Sequence, residues 1–194
     1  DGHRLALSHR KLDVSLPEKQ VIVPRKGVVE MARLLDSDDQ DITIAIGDNA
    51  IRAITSSAVF TSKLVDGRFP DYRRVLPKGG NKVVIASRNQ LKQALTRASI
   101  LSNEKFRGVR IQLETGLLKI TANNPEQEEA EEIIDVEYDS DNLEIGFNVS
   151  YLLDVLNNLA SDEVRITLID GNSSALIENH KEEDSMYVVM PMRL

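Results

Sequence analysis

Three segments of the chain share one pattern: a short apolar run, a polar or proline cap, and then apolar residues at three- and four-residue spacing. The apolar runs are 20–24, 82–87 and 143–148, and the segments that follow them are 25–35, 88–100 and 149–159. Each pair predicts a strand followed by an amphipathic helix with one buried face. Ser87 and Asn148 suit the N-caps of the second and third helices, and Pro24 suits the start of the first.

Alternating apolar and polar residues after the helices predict further strands. Such runs occur at 109–114 and 164–169, and the first strand after each helix leads into a glycine-containing turn at 47–49, 115–116 and 170–172. Residues in these turns tolerate positive φ and fit hairpins. A β-α-β-β-β repeat therefore recurs roughly every 60 to 65 residues. One repeat cannot bury both its helix and its sheet, so we expect repeats to pair in an α+β fold with helices on one face of antiparallel sheets.

The number of repeats is odd. Residues 72–194 hold two of them, whereas residues 1–71 hold one repeat and a leading strand at 4–11. The joint at 66–72 carries Gly67 and Pro70, as a linker would. We therefore expect one complete domain at 72–194 and half a domain at 1–71, whose other half would lie upstream of Asp1.

The C-terminal residues 187–194 are apolar almost to the carboxylate. A strand explains Tyr187 to Met190, but Pro191 has no N–H to donate to a ladder. Met192 and Leu194 then lie beyond the strand, and methionines near a surface often line adaptable grooves. Two interpretations stay open, a tail that packs on its own domain and a peptide-binding site that includes the C-terminus.

Composition narrows the choice of function. A hydrophobic content of 41% and a charged content of 28% are typical of a globular protein, and no apolar run reaches membrane-spanning length. The chain has no cysteine, which excludes disulfides, thiol catalysis and cysteine metal sites and fits a reducing cytoplasm. It also has no tryptophan and few aromatic residues, which disfavours a base-stacking platform.

Basic residues are gathered on two helices, although the net charge is −7. They are Arg25, Lys26 and Arg33 on the first helix and Arg88, Lys92 and Arg97 on the second. Acidic blocks lie at 36–41 and 126–132. This segregation would let a few cations contact phosphate while the rest of the protein repels it. The alternative is ordinary solvated helix faces, and the third helix favours it because that helix carries Asp154 and no basic residue.

Five ordered segments, 1–6, 60–72, 102–108, 122–128 and 190–194, resemble the β sliding clamp of bacterial DNA polymerase III. The resemblance runs from the first residue to the last and implies the DNA-clamp fold. It also implies that the chain is the C-terminal part of such a clamp. Residues 1–71 would be the C-terminal half of the middle domain, and residues 72–194 the complete C-terminal domain.

This resemblance implies a cytoplasmic, non-catalytic processivity factor that needs no cofactor or metal. Two full-length copies would form a head-to-tail ring of six domains around duplex DNA, and the chain alone would not close a ring. The implied partners are the replicative polymerase, the clamp loader and other clamp-motif proteins. Phosphate contacts would come from Arg25, Lys26, Arg33, Lys82 and Arg88.

The resemblance also implies a groove for short partner peptides and a subunit interface. The groove would include Gly2, His3, Arg4, Leu5, Pro70, Arg74, Val75, Phe106, Asn148, Tyr151, Ser174, Val188, Val189, Met190, Pro191, Met192, Arg193 and Leu194. Asn172 stands where members of the family often carry a small apolar residue, so one edge would be more polar. The interface would include Ile100, Leu101, Glu126, Glu128, Glu129, Glu131 and Glu132.

Two rival functions differ in class. A metal-dependent hydrolase could draw ligands from His3, His9 and His180 together with Asp1, Asp13 and the glutamates of 126–132. However, no His-Glu-x-x-His or comparable spacing places them on one face. A peptide-binding adaptor without a role on DNA is the second rival. Encirclement of DNA would separate it from a sliding clamp.

Overall fold

The computed structural model describes residues 2–35, 41–181 and 184–193. The chain divides into two compact units, a larger unit of Asp1–Lys11 with Tyr72–Leu194 and a smaller unit of Leu12–Asp71. Most of the acidic block at 36–41 lies outside the described residues. In chain order the elements are β1 Arg4–Ser8, α1 Arg25–Leu34, β2 Thr43–Ile46, β3 Ala50–Ile54, β4 Val59–Lys63, a 3-10 helix Tyr72–Arg74, β5 Lys82–Ser87, α2 Arg88–Ile100, β6 Gly108–Glu114, β7 Leu117–Asn123, β8 Glu129–Asp135, β9 Leu143–Asn148, α3 Val149–Asn158, β10 Glu163–Leu168, β11 Ala175–Asn179 and β12 Ser185–Val189.

The larger unit contains two antiparallel sheets, with strand orders β1-β12-β11-β10-β5 and β8-β7-β6-β9. The second and third repeats exchange their leading strands: β5 pairs with β10 of the third repeat, and β9 pairs with β6 of the second. Each repeat thus completes the sheet of the other. A backbone bridge between Ile85 and Glu137 joins the two sheets. The sequence predicts that the repeats pair, and in the structure they pair by exchanging these strands.

One apolar core fills the larger unit. Helices α2 and α3 pack on each other and on the sheets, and the core includes Leu95, Phe147, Val149 and Leu156, all buried. Burial of large side chains such as these contributes roughly 1.5–3 kcal/mol each. The predicted α+β fold, with helices packed on antiparallel sheets, is confirmed.

Local signals place both helices of the larger unit. Ser87 Oγ accepts a hydrogen bond from the N–H of Gln90 at 3.4 Å, and Asn148 Oδ1 accepts one from the N–H of Ser150 at 2.9 Å. Helix α2 has the predicted bounds, whereas α3 ends one residue early because Leu159 adopts an extended ψ of 137°. A cap satisfies N–H groups that have no partner within the helix.

The smaller unit departs from two predictions. Its predicted leading strand at 20–24 is wrong: Ile22 forms only an isolated bridge with Val65, and Pro24 has no N–H with which to extend a ladder. The predicted burial of the α1 apolar face is also wrong, because Val28 and Val29 are 47% and 42% exposed. The described part of this unit holds one helix and one three-stranded sheet, β2-β3-β4. A single repeat has no second helix against which α1 can pack.

The first strand belongs to the larger unit. Strand β1 is hydrogen-bonded to β12, with Arg4 opposite Val189 and Ser8 opposite Ser185. Strand β1 is shorter than the predicted strand at 4–11, and β12 starts and ends earlier in the chain than the predicted strand at 187–190. The compact units therefore differ from the sequence division at residue 71 for the first eleven residues. The division into family domains stays a prediction. No helix within the described ranges is long and apolar enough to cross a membrane.

Candidate functional site

A depression lies between the edge strand β1 and helix α3 of the larger unit, and we call it the helix-side depression. Strands β1 and β12 form one wall, and the other wall is the face of α3 on which Tyr151, Asp154, Val155 and Asn158 lie. Spacing of three and four residues brings these side chains to one face of the helix. The complete lining is Arg4, Leu5, Ala6, Tyr151, Asp154, Val155, Asn158, Tyr187 and Val188.

Arg4 bridges the two walls. Its guanidinium lies 4.3 Å from the centre of the Tyr151 ring, and its Nη1 donates to Asp154 Oδ2 at 2.5 Å. The Asp154 side chain remains 60% exposed, so solvent screens this pair. Burial raises the pKa of Tyr187, with a further contribution from the negative charge of Asp184. The arrangement combines a flat aromatic surface, a delocalised cation and a phenol donor, all suited to an extended peptide.

A second depression, which we call the C-terminal depression, includes the tail after β12. Two backbone bonds hold this tail: the N–H of Met190 donates to His3 O and that of Met192 donates to Gly146 O, each at 2.9 Å. Phe106 is 57% exposed at the rim. The lining residues are Asn103, Phe106, Gly108, Asn123, Asn124, Pro125, Met192 and Arg193.

A polar network positions the Phe106 loop. Asn103 Oδ1 accepts hydrogen bonds from the N–H groups of Lys105 and Phe106, at 3.0 and 2.9 Å. Asn148 Nδ2 donates to Phe106 O at 3.3 Å while its Oδ1 caps α3. The predicted groove residue Asn148 therefore connects the start of α3 to the rim of the C-terminal depression.

The predicted groove residues are brought together in part. Arg4, Leu5, Tyr151 and Val188 line the helix-side depression, and Phe106, Met192 and Arg193 line the C-terminal one.

The other predicted groove residues that the structure describes do not line either depression. Several lie close in the chain to residues that do: Gly2 and His3 precede β1, Ser174 precedes β11, Val189 ends β12, and Met190 and Pro191 follow it. Arg74 ends the 3-10 helix, and Val75 donates its N–H to Tyr72 O at 2.9 Å. Pro70 belongs to the smaller unit, and Leu194 lies outside the described residues.

Sequence reasoning missed several lining residues. Asp154 and Asn158 lie at the i+3 and i+7 positions from Tyr151, so the helical spacing of a predicted groove residue could have identified them. Ala6 and Tyr187 are cross-strand partners in the β1–β12 ladder, which only the register reveals. Asn172, predicted to make one edge more polar, is exposed and donates its N–H to Asp170 Oδ1 at 2.8 Å.

The predicted phosphate contacts fall into two groups. Arg25, Lys26 and Arg33 are exposed on α1 of the smaller unit, where Arg33 also pairs with Glu30 at 2.9 Å. In the larger unit, the Lys82 ammonium lies 3.9 Å from Asp141, and the guanidinium of Arg88 donates to the carbonyl oxygens of Ser161 and Leu156. The latter two side chains have protein partners and are partly buried.

The predicted interface residues border the end of α2 and strand β8, an outer strand of its sheet. Ile100 is 75% exposed, and Leu101 follows it as the C-cap of α2. Glu126 precedes β8, while Glu128 accepts a hydrogen bond from Asn124 Nδ2 at 2.6 Å. Glu129 begins β8, Glu131 pairs with Lys119 at 2.7 Å, and Glu132 accepts from Arg97 Nε and Nη2 at 2.7 and 2.6 Å.

The hypothesis of a metal-dependent hydrolase requires a cluster of ligand side chains. No group of three histidine, aspartate or glutamate side chains among those residues could hold a metal ion. His180, one of the three histidines considered, lies 3.9 Å from Glu163.

Comparison with known proteins shows which family the chain matches. The family model described as the central domain of the DNA polymerase III beta subunit matches residues 1–71. The model described as the C-terminal domain of the same subunit matches residues 73–193. Together they cover the chain in the order that the sequence resemblance predicts.

Curated relatives and solved structures agree with these matches. The chain is 60% identical to the beta sliding clamp of Pseudomonas aeruginosa over 197 residues and 62% identical to that of Proteus mirabilis over 195, covering 100% of this chain and 53% of each relative. A crystal structure of the Pseudomonas aeruginosa sliding clamp bound to griselimycin has a TM-score of 0.97 at 59% identity, with 100% of this chain and 53% of that one covered. The Bartonella birtlesii sliding clamp bound to griselimycin has a TM-score of 0.92 at 42% identity, with the same coverage. The chain thus spans about half the length of the relatives that it matches.

Proposed function

The chain belongs to the family of the DNA polymerase III beta subunit, and from that premise we propose that it forms the C-terminal part of a DNA sliding clamp. Such a clamp encircles duplex DNA and tethers the replicative polymerase. Residues 1–71 would be the C-terminal half of its middle domain, and residues 72–194 its complete C-terminal domain. The observation that carries the proposal is the ordered match of both family models. The pairing of two β-α-β-β-β repeats through exchanged strands supports it.

The clamp would act without catalysis and without sequence readout, in the bacterial cytoplasm where the chromosome lies. Affinity would come from topology, with weak phosphate contacts that permit sliding. We assign direct contacts to Arg25, Lys26 and Arg33, which are exposed on α1. Lys82 and Arg88 would lie near the duplex, but their side chains are partly buried against other groups of the protein.

We further propose that the helix-side and C-terminal depressions are parts of one groove for short segments of partner proteins. The partners would include the replicative polymerase, the clamp loader and other clamp-motif proteins. The exposed Phe106, the adaptable Met192 and the Arg4–Tyr151 stack would supply apolar and stacking contacts. Griselimycin, which is bound in two of the similar clamps, is a suitable probe of this chain.

The ring would close through Ile100, Leu101 and the acidic residues around β8. The exposed apolar side chain of Ile100, at the end of α2, favours contact with another protein surface. Glu131 and Glu132 already have partners within the chain, so Glu126 and Glu129 remain as the carboxylates most available to basic residues of a second subunit.

A processivity assay tests the proposal. Full-length protein carrying this chain, added with the polymerase and clamp loader of its own source, should lengthen the product made in one binding event on primed circular DNA. Deletion of residues 190–194 should abolish that gain, because the polymerase would lose its attachment site. Product length independent of the added protein would contradict the proposal.

A further inference from the structure

Two arginines lie at opposite ends of the α2–α3 pair. Arg88 begins α2 and reaches the last turn of α3, whereas Arg107 follows α2 and reaches the start of α3. These contacts show that the two helices run antiparallel. Both side chains are partly buried, unlike those of Arg25 and Lys26 on α1.

Arg88 joins the start of α2 to the end of α3. Its Nε donates to Ser161 O at 2.9 Å and its Nη1 donates to Leu156 O at 3.3 Å. Its backbone N–H donates to Asp162 O at 2.8 Å. Carbonyl groups in the last turn of a helix have no partner within the helix and carry partial negative charge. The guanidinium therefore satisfies a helix end and fixes its distance from α2.

Arg107 makes the matching connection at the other end. Its Nη1 donates to Ser99 O, in the last turn of α2, at 3.1 Å. Its carbonyl oxygen accepts a hydrogen bond from the N–H of Val149, the first residue of α3, at 2.8 Å. Nε lies 3.5 Å from Ser150 Oγ, at the limit of a hydrogen bond.

The backbone of Arg107 is unusual as well. Its φ of 53° is in the left-handed region, which among the described residues other than glycine only Gln127 also adopts. This conformation costs a non-glycine residue of order 1–3 kcal/mol and persists only where surrounding contacts hold it. The hydrogen bonds of Arg107 to α2 and α3 are such contacts, and they hold its backbone in this conformation.

We propose that Arg88 and Arg107 are positioning residues: each holds one end of the α2–α3 pair, and together they set the distance between the two helices. Arginine suits this task because its planar fork can serve two acceptors at once, whereas lysine presents a point charge. The consequence for DNA rests on the proposed function, in which these helices face the duplex. Arg88, although basic and on a helix predicted to meet phosphate, acts through the geometry of the helix pair.

Amide hydrogen exchange on the 194-residue chain tests the positioning role without DNA. In Arg88→Lys, the amides of position 88 and Leu159 should exchange roughly tenfold faster, since each lies in the hydrogen-bonded end that the guanidinium holds. In Arg107→Lys, the faster amides should be those of Val149 and Leu101 instead. Lys92→Gln, in the middle of α2, serves as the control and should change neither end.

The test depends on which helix end shows faster amide exchange in each variant, rather than on how large the increase is. Faster exchange confined to the matching helix end supports the proposal, because general destabilisation would raise exchange at both ends together. Unchanged exchange, or the same increase at both ends in each variant, would overturn it. Retention of charge in both lysine variants separates the fork geometry from simple electrostatics.

Salt-dependent binding to a duplex oligonucleotide separates positioning from phosphate contact. A direct phosphate contact by Arg88 would make Arg88→Gln lower the slope of log Kd against log salt by about one. The positioning role predicts an unchanged slope, and a lowered slope would overturn it for Arg88. Absence of any DNA binding by the full-length protein would count against the proposed function alone, because the exchange pattern would still decide the positioning role.

Discussion

Among single residues, Glu132 shows how strand β8 balances its charge. Two hydrogen bonds from Arg97 lower the pKa of the Glu132 carboxyl, and burial opposes the shift only partly. The same hydrogen bonds raise the pKa of Arg97. A carboxyl with a lowered pKa stabilises the fold above its unfolded pKa, and that contribution is lost as the pH falls through the folded value.

Glu132→Gln should therefore reduce the free energy of unfolding at pH 7 but not in acid. The difference between parent and variant should shrink as the pH falls below 4.5, the ordinary value for this carboxyl. Urea denaturation across this range measures it. Glu126→Gln, which removes a carboxylate outside β8, is the control for the loss of one negative charge. A difference that stayed constant with pH would show that the pair does not titrate in this way.

Met192 is the single side chain that most directly tests the groove. Met192→Ala should weaken the binding of griselimycin to the chain by about 2 kcal/mol, roughly 30-fold in Kd, because it removes an anchor from the C-terminal depression. Met186→Ala, on β12 but outside both depressions, should bind normally. Calorimetry measures both, and equal affinities for the parent and Met192→Ala would argue against this part of the groove.

At the scale of elements, caps and periodicity account for what could be predicted. Ser87 and Asn148 cap the helices that the apolar spacing predicts, and α2 has the expected bounds. Sequence periodicity could not show that the predicted strand at 20–24 would be absent, or that Val28 and Val29 would be exposed. Periodicity shows that a face is apolar, but a partner element decides whether it is buried. The Arg4–Asp154 contact was equally hidden, since 150 residues separate its members.

Asn148 gives the element scale its test, because one side chain caps α3 and holds the Phe106 loop. Asn148→Ala should lower the free energy of unfolding by about 1 kcal/mol through loss of the cap. Asn148→Asp keeps the cap but loses the donor to Phe106 O, so it should be the more stable variant and still bind griselimycin less well. Thermal denaturation and calorimetry measure the two effects. Equal stability of the two variants would contradict the capping role.

At the scale of the whole molecule, the two units differ in how fully each buries its apolar residues. The larger unit has a continuous core built from two repeats. The smaller unit buries the apolar side chains of Ile51, Ala53 and Leu64. Exposure of apolar surface weakens the driving force for folding, so the two units should differ in local stability.

Native-state hydrogen exchange should show this difference. In the chain alone, amides of β3 should exchange at least tenfold faster than those of β6, because opening the smaller unit exposes less apolar surface. The two strands are both central in their sheets, which makes them matched reporters. Equal protection of β3 and β6 would mean that the units unfold together.

Retention on DNA tests the central claim most directly. Full-length protein that carries this chain would be loaded on a nicked circular plasmid by its clamp loader and then separated from free protein by gel filtration. A clamp that encircles the duplex should stay with the circle and be released when one restriction cut linearises it, because it can then slide off the ends. Equal retention on the circular and linear plasmids would contradict encirclement and favour an adaptor that binds DNA, if at all, by local contacts.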